Sequence, residues 1–342
     1  MFLTTVSLLQ LVLFLQKFNL HYFIQFGPSF FIILYLLTAL IYVPQTKKLV
    51  LEYVQELKHD NNSSCKDNKK ELIRAVTYMI SSLIFAVIAG ILFAIPSEED
   101  KDIFYPFSLS QEFFPELEYF VTWGFKCCCV PLGCAGAISP AHYLAYAVLH
   151  FKLQANVLLH NIENINKNYE NNEFLDTESQ NVIKKRLLFC LKHHISVSRY
   201  TKTSMRRAEN LVLILELEGC FLFISIVIHI FTVDELTSQL WYWRFLLLTL
   251  CSFLVLSGNS TYGQKIEDAS DDIFYRLVNV KWYNWNQENK ELYLMFLTNT
   301  QKPFRLKFSE NISMNCRQGV EIGKTFFSFM SVAYQLRNSI KH

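Results

Sequence analysis

The chain has 342 residues, of which 51% are hydrophobic, 15% aromatic and 18% charged, with a formal net charge of +2. This is the composition of a membrane protein, and so small a charge, with no basic tract interleaved with aromatics, gives no basis for a nucleic-acid partner. The nine cysteines lack paired C-x-x-C spacing and most lie in apolar runs, which argues for structural thiols rather than a disulfide framework.

In chain order, Met1 to Gln16 is uncharged but has neither a basic n-region nor a small-residue cleavage site, so it reads as a first span and not a cleaved signal. It is short for a crossing of roughly 20 residues, which places the expected start of the protein upstream of Met1. Further apolar stretches run over Phe18 to Thr46, Ala75 to Ser97, Tyr119 to Phe151, Gly219 to Val233 and Phe245 to Gln264, followed by a weaker one near Thr325 to Leu336. The expectation is a single all-α domain over 1–342 with seven spans, at about 1–18, 23–43, 75–95, 121–150, 211–232, 241–262 and 318–337.

Loop charge sets the orientation. Lys47, Lys48, Lys58, Lys66, Lys69, Lys70 and Arg74 follow span two, and ten further Lys and Arg residues from Lys152 to Arg207 follow span four. The loop after span three instead carries Glu98, Glu99, Asp100, Asp102, Glu112, Glu116 and Glu118. By the positive-inside rule the basic loops are cytoplasmic, which puts the N-terminus inside and the C-terminus outside, the reverse of a G-protein-coupled receptor. The sequons at Asn62, Asn259 and Asn311 fall away from the acidic outer loop and agree with this weakly.

The cytoplasmic segments, 151–210 and 263–317, read as helical. Leu144, Val148, Phe151, Ala155, Leu158, Ile162 and Ile165 keep helical spacing past the membrane edge. Thr177 and Gln180 have capping-box spacing ahead of Ile183, Leu187, Leu191 and Ile195, and Ile266, Ala269, Ile273, Leu277 and Val280 extend span six inward. Such projecting helices make a packing surface for self-association or a partner subunit.

Few motifs suggest chemistry. Ser198-Arg199-Tyr200 resembles a receptor DRY triplet but precedes span five, so a basic surface residue beside an aromatic is the better account. His193 and His194 point about 100° apart on a helix and read as a solvated surface, not a metal face. Cys127, Cys128, Cys129 and Cys134 read as small packing residues near Gly124, Gly133 and Gly136. No catalytic or phosphate-binding motif is present, so neither an enzyme nor a cofactor is expected, and without an inverted repeat a transporter is disfavoured.

Two features point to function. Aromatic residues gather in the outer halves of the spans, at Phe23, Phe30, Phe31, Phe85, Phe93, Trp241, Tyr242, Trp243 and Phe245, with Ala86, Ala89 and Gly90 leaving room beside them. They suit an apolar pocket for a small lipophilic ligand, and equally suit interfacial anchors and packing between spans. The last span is too polar for lipid on every side: Glu321, Thr325, Ser328, Val332 and Gln335 share one helical stripe, and Phe326, Met330 and Ala333 another.

The run CSFLVLSGNSTYGQKIEDASDDIFYRLVNVKWYNW, then KELYLMFLTNTQKPFRLKF and TFFSFMSVAYQL, resembles the C-terminal signature of insect odorant receptors. Gly263, Ser270, Tyr275, Trp282, Gln301, Pro303 and Ser328 occupy that pattern's recurring positions, and LLFCLKHHISVSRY fits it more loosely. The resemblance implies a plasma-membrane receptor of olfactory neuron dendrites that is itself an odorant-gated, non-selective cation channel, assembled with a shared co-receptor into a tetramer. It implies a pocket for a volatile lipophilic ligand among spans two, three, four and six, taking in Phe30, Phe31, Ala86, Gly90, Phe93, Cys134, Ile138, Trp243 and Leu246. It further implies a pore along the seventh helix, with Ser328 on its wall and an apolar gate at Val332 and Leu336. A gustatory-type receptor of the same superfamily shares this architecture and differs in ligand, whereas a G-protein-coupled receptor is disfavoured by the loop charges.

Overall fold

The computed structural model describes residues 12, 15–16, 20–57, 66–97, 100, 104–113, 115–167, 176–232, 239–307 and 312–341. The expected first span, the loop tip near Asn62 and the sequon at Asn311 fall mostly or wholly outside these residues. The described chain is nearly all helix, and its one strand-like feature is a bridge between Lys307 and Ser313. The long elements are α1 (Leu20–Leu57), α2 (Lys66–Ala94), α3 (Tyr105–Phe113), α4 (Glu118–Gly124), α5 (Val130–Glu163), α6 (Thr177–Thr232), α7 (Gln239–Val278), α8 (Gln287–Thr300) and α9 (Cys316–Lys341). A π-type turn at Phe125–Cys129 joins α4 to α5.

Length decides the layering. At about 1.5 Å per residue the 56 residues of α6 reach roughly 84 Å and the 40 of α7 roughly 60 Å, both well beyond a hydrocarbon core of about 30 Å. Each therefore has a membrane half and a half that projects out of it. Among the described residues, four segments are long and apolar enough to cross a bilayer: Ile24–Tyr42, Lys69–Ala94, Val212–Phe231 and Gln239–Val278. Along α2 the exposed residues Val76, Ile80, Leu83, Val87 and Ile91 form an apolar face suited to lipid.

Within the membrane layer α1 packs along α6 and α5, and α5 along α2 and α7. Glu71 ties three helices together, accepting from Lys152 at 3.4 Å and from Lys265 at 3.1 Å. At the opposite end of α2, Asp100 is buried between Arg244 and Lys126. Arg244 donates to Asp100 Oδ1 at 2.6 Å, to the Leu92 carbonyl at 2.9 Å and to the Ile95 carbonyl, and stacks 4.4 Å over Trp241. Full burial of a guanidinium is tolerated because its donors and its charge are both matched. Lys126 lies inside the Tyr119–Phe151 stretch that reads as a span, and the π-type turn brings it to Asp100.

The projecting layer has the larger apolar core, formed by Phe151, Leu158, Ile162, Ile183, Leu187, Ile266, Ile273, Tyr293 and Phe296 among others. Polar groups specify its register. Arg186 donates to the carbonyls of Asn164 and Ile165 at 2.7 and 3.0 Å, closing the end of α5. Asn289, fully buried, donates to the carbonyl and the side chain of Gln180 at 3.0 and 2.8 Å. The capping-box expectation for Thr177 and Gln180 is thus corrected: Asp176 caps α6 by accepting from the Ser179 amide at 3.0 Å, and Gln180 is spent on α8. The solvated-surface reading of His193 and His194 is also corrected, since both are buried, His194 under Phe296 of α8 and Phe304 of the chain after it.

Candidate functional site

A cavity of about 620 Å³ runs inside the membrane layer, walled by α1, α2, α5, α6 and α7. One end is aromatic, with Phe93, Phe104 and Phe125 on its wall; the other reaches Thr201, Arg206 and Leu306 near the projecting layer. Phe104 and Phe125 belong with Phe107, Trp241 and Phe245 to a buried cluster that closes the aromatic end, with Phe93 packed against it. Phe93 lies edge-on to Trp241 at 6.2 Å, and Arg244 sits 5.6 Å from its ring centroid. The ionic group around Asp100 thus holds the aromatic end in place from outside.

Of the residues expected at a ligand, Ala86, Phe93 and Ile138 line this cavity. Gly90 is buried in α2 without lining it. Phe30 meets Phe31 edge-on at 5.3 Å, and Phe31 stacks on Phe221 at 5.7 Å, so this pair joins α1 to α6 beside the cavity. Trp243 and Leu246 are about half exposed and do not line it; one helical turn places Trp241 and Phe245 inward instead, with Leu248 reaching the wall. The side chain of Cys134 falls outside the described residues, while neighbouring Gly133 lines the cavity.

Sequence reading missed the polar part of the wall. Glu216 lines the cavity and accepts from Asn259 Nδ2 at 2.8 Å; Glu218, two residues on in α6 and off the cavity wall, accepts from Thr38 at 2.7 Å. The signal was present: Val212–Phe231 is apolar enough to span a membrane while carrying these two acids, and acids at membrane depth mark sites by default. Both acids lie inside the span expected at about 211–232, just before its uncharged run begins at Gly219. Arg244 and Lys126 were legible in the same way, as single cations beside apolar runs opposite an acidic loop.

The last helix presents two faces. Glu321, Thr325, Ser328 and Val332 are exposed, with Glu321 paired to Lys324 at 2.9 Å. On another face Phe326 stacks on Phe223 of α6 with centroids 4.2 Å apart, and Tyr334 meets Phe231 at 6.1 Å. Met330 is 41% exposed, so the packed face centres on Phe326. The Leu336 side chain lies outside the described residues.

Comparison with known proteins follows the same lines. The family model described as 7tm Odorant receptor matches residues 47–318. The fold is similar to that of the insect olfactory receptor OR5 from Machilis hrabei, with a TM-score of 0.68 at 10% identity over 98% of this chain and 88% of that one. The same receptor in complex with eugenol gives 0.64 at 9% identity, again over 98% and 88%. No curated protein matches the chain.

Proposed function

The chain belongs to the 7tm odorant receptor family, a family of membrane-embedded receptors and not enzymes, and from that premise we propose that it is the ligand-binding subunit of an odorant-gated, non-selective cation channel. It works with a shared co-receptor subunit, as a hetero-oligomer, in the plasma membrane of an olfactory neuron dendrite. The N-terminus is cytoplasmic and the C-terminus extracellular, in keeping with the basic and acidic loops. Its ligand is a small lipophilic volatile, held in the cavity among α1, α2, α5 and α7.

The observation that carries this reading is the open stripe of α9. A helix that packs Phe326 against its own bundle while leaving Thr325, Ser328 and Val332 exposed needs water or other protomers on that side. Copies of Val332 and Leu336 around a central axis form an apolar constriction that closes by dewetting, with no blocking charge.

Co-expression with a co-receptor is expected to give odorant-evoked cation current that persists when G-protein signalling is blocked. Val332→Ser is expected to raise basal leak or change permeation. Current that needs G-protein signalling removes direct gating from the account, and unchanged leak and permeation remove Val332 from the gate.

A further inference from the structure

We infer that the cavity is built for a long-chain alcohol, whose hydroxyl is held by Glu216 and Asn259 and whose tail runs toward the aromatic end; this rests on reading the cavity as the odorant site. The first argument is shape. Leu248 and Ile266 both line it from α7, eighteen positions apart, which at 1.5 Å per residue is about 27 Å. Val130 and Phe151 of α5, and Ile32 and Val50 of α1, bracket a similar length. A cavity of about 620 Å³ drawn out over about 27 Å is elongated, a shape that suits an extended chain better than a globular molecule.

The second argument is hydrogen-bond bookkeeping at one place in that cavity. Asn259 is 8% exposed, and its amide donates to Glu216 Oε1 at 2.8 Å. Its own Oδ1 is buried without a partner among the described residues. The Asn259 amide oxygen is therefore a buried acceptor that lacks a donor, with the Glu216 carboxyl beside it. A hydroxyl supplies one; an ether, ester or ketone, being an acceptor only, does not. An ammonium supplies one too but brings a charge that must be stripped of water in a mainly apolar cavity, which a neutral hydroxyl avoids. Sites that hydrogen-bond a hydroxyl reject the analogue lacking it far more strongly than apolar walls discriminate by size.

The test compares an unbranched long-chain primary alcohol with its methyl ether and a compact apolar odorant. The readouts are current from the chain co-expressed with a co-receptor and thermal stabilisation of the purified chain. The alcohol is expected to activate and stabilise, with the ether weaker by about tenfold or more. Glu216→Gln keeps the bond from Asn259 and replaces the other acceptor with a donor; it is expected to raise the alcohol's half-maximal concentration about tenfold but not the ether's. Asn259→Leu serves as a second variant should the first fail to fold, and the alcohol-against-ether comparison needs no variant. Equal potency of alcohol and ether, or variants that shift both alike, overturns the inference. Activation by compact odorants alone also overturns it and leaves the channel reading standing, whereas alcohol-specific stabilisation without current does the reverse.

Discussion

Burial of His194 against Phe296 and Phe304, with ring centroids 5.5 and 6.2 Å away, leaves its imidazole little access to water. Desolvation by burial pushes its pKa from 6.5 down to about 4, and neighbouring Lys202 and His193 push the same way against a hydrogen bond from the imidazole to the Asn299 backbone. The unfolded chain therefore takes up a proton near pH 6.5 while the folded one does not. Stability is full above that pH and falls as pH drops from 6.5 toward 4, by about 3 kcal/mol at most. Melting temperature against pH is expected to show this loss, and His194→Phe to flatten it; an unchanged slope in that variant assigns the acid sensitivity elsewhere. Asp100 makes a related point: a lone acid in an exposed loop is unremarkable, whereas the same acid enclosed by Arg244 and Lys126 joins three separate segments.

At the scale of elements, the seating of α9 depends on how closely the chain before it crosses α7. A Cβ added at Gly263 would lie 2.0 Å from the Met314 carbonyl oxygen, a backbone atom that cannot turn aside. The Met314 amide in turn donates to the Leu306 carbonyl at 2.7 Å, and the Phe304 amide to Ser270 Oγ at 3.0 Å, so the crossing segment is held on both sides. Gly263→Ala is expected to cost roughly 1–3 kcal/mol and, in the proposed channel, to disturb gating through α9. Gly323, on α9 itself, has nothing within 4 Å of the same atom, and Gly323→Ala is expected to stabilise the helix by up to about 1 kcal/mol. Thermal unfolding of the two variants checks the contrast, and similar losses in both would mean that the crossing is not what Gly263 protects.

For the whole molecule, the two layers do different work. The projecting layer has a dry core registered by Gln180, Asn286 and Asn289 and tolerates little change. The membrane layer keeps a long internal cavity and leaves one face of α9 unpacked. A densely packed base and a bundle that keeps a cavity suit the proposed reading, in which a ligand shifts helices above a fixed anchor. The proposed orientation follows from loop charge and is checked by epitope tags: an N-terminal tag is expected to be reached only after permeabilisation and a C-terminal tag on intact cells, and the opposite pattern overturns it.

Much of this was legible along the chain because membrane helices announce themselves locally, through apolar length, loop charge and helical spacing. Helical class, the overrun of the fourth and sixth spans, the helical stretch ahead of the fifth and the two-faced last helix all follow from such periodic signals, and the C-terminal signature pointed to the family. Local signals failed where partners come from far away. Whether Trp241 or Trp243 turns inward is a rotation of α7 set by Phe93 and Phe104; His194 is dry because the chain after α8 folds over it. Glu216 and Asn259 are 43 positions apart and become one polar spot only when α6 and α7 pack around the cavity. The sequence by itself determined which segments are helices and which of them a bilayer can hold, since that depends on residues within a few turns. The tertiary structure alone decided which side chains share the cavity, because burial and hydrogen-bond partnership are properties of surfaces that meet.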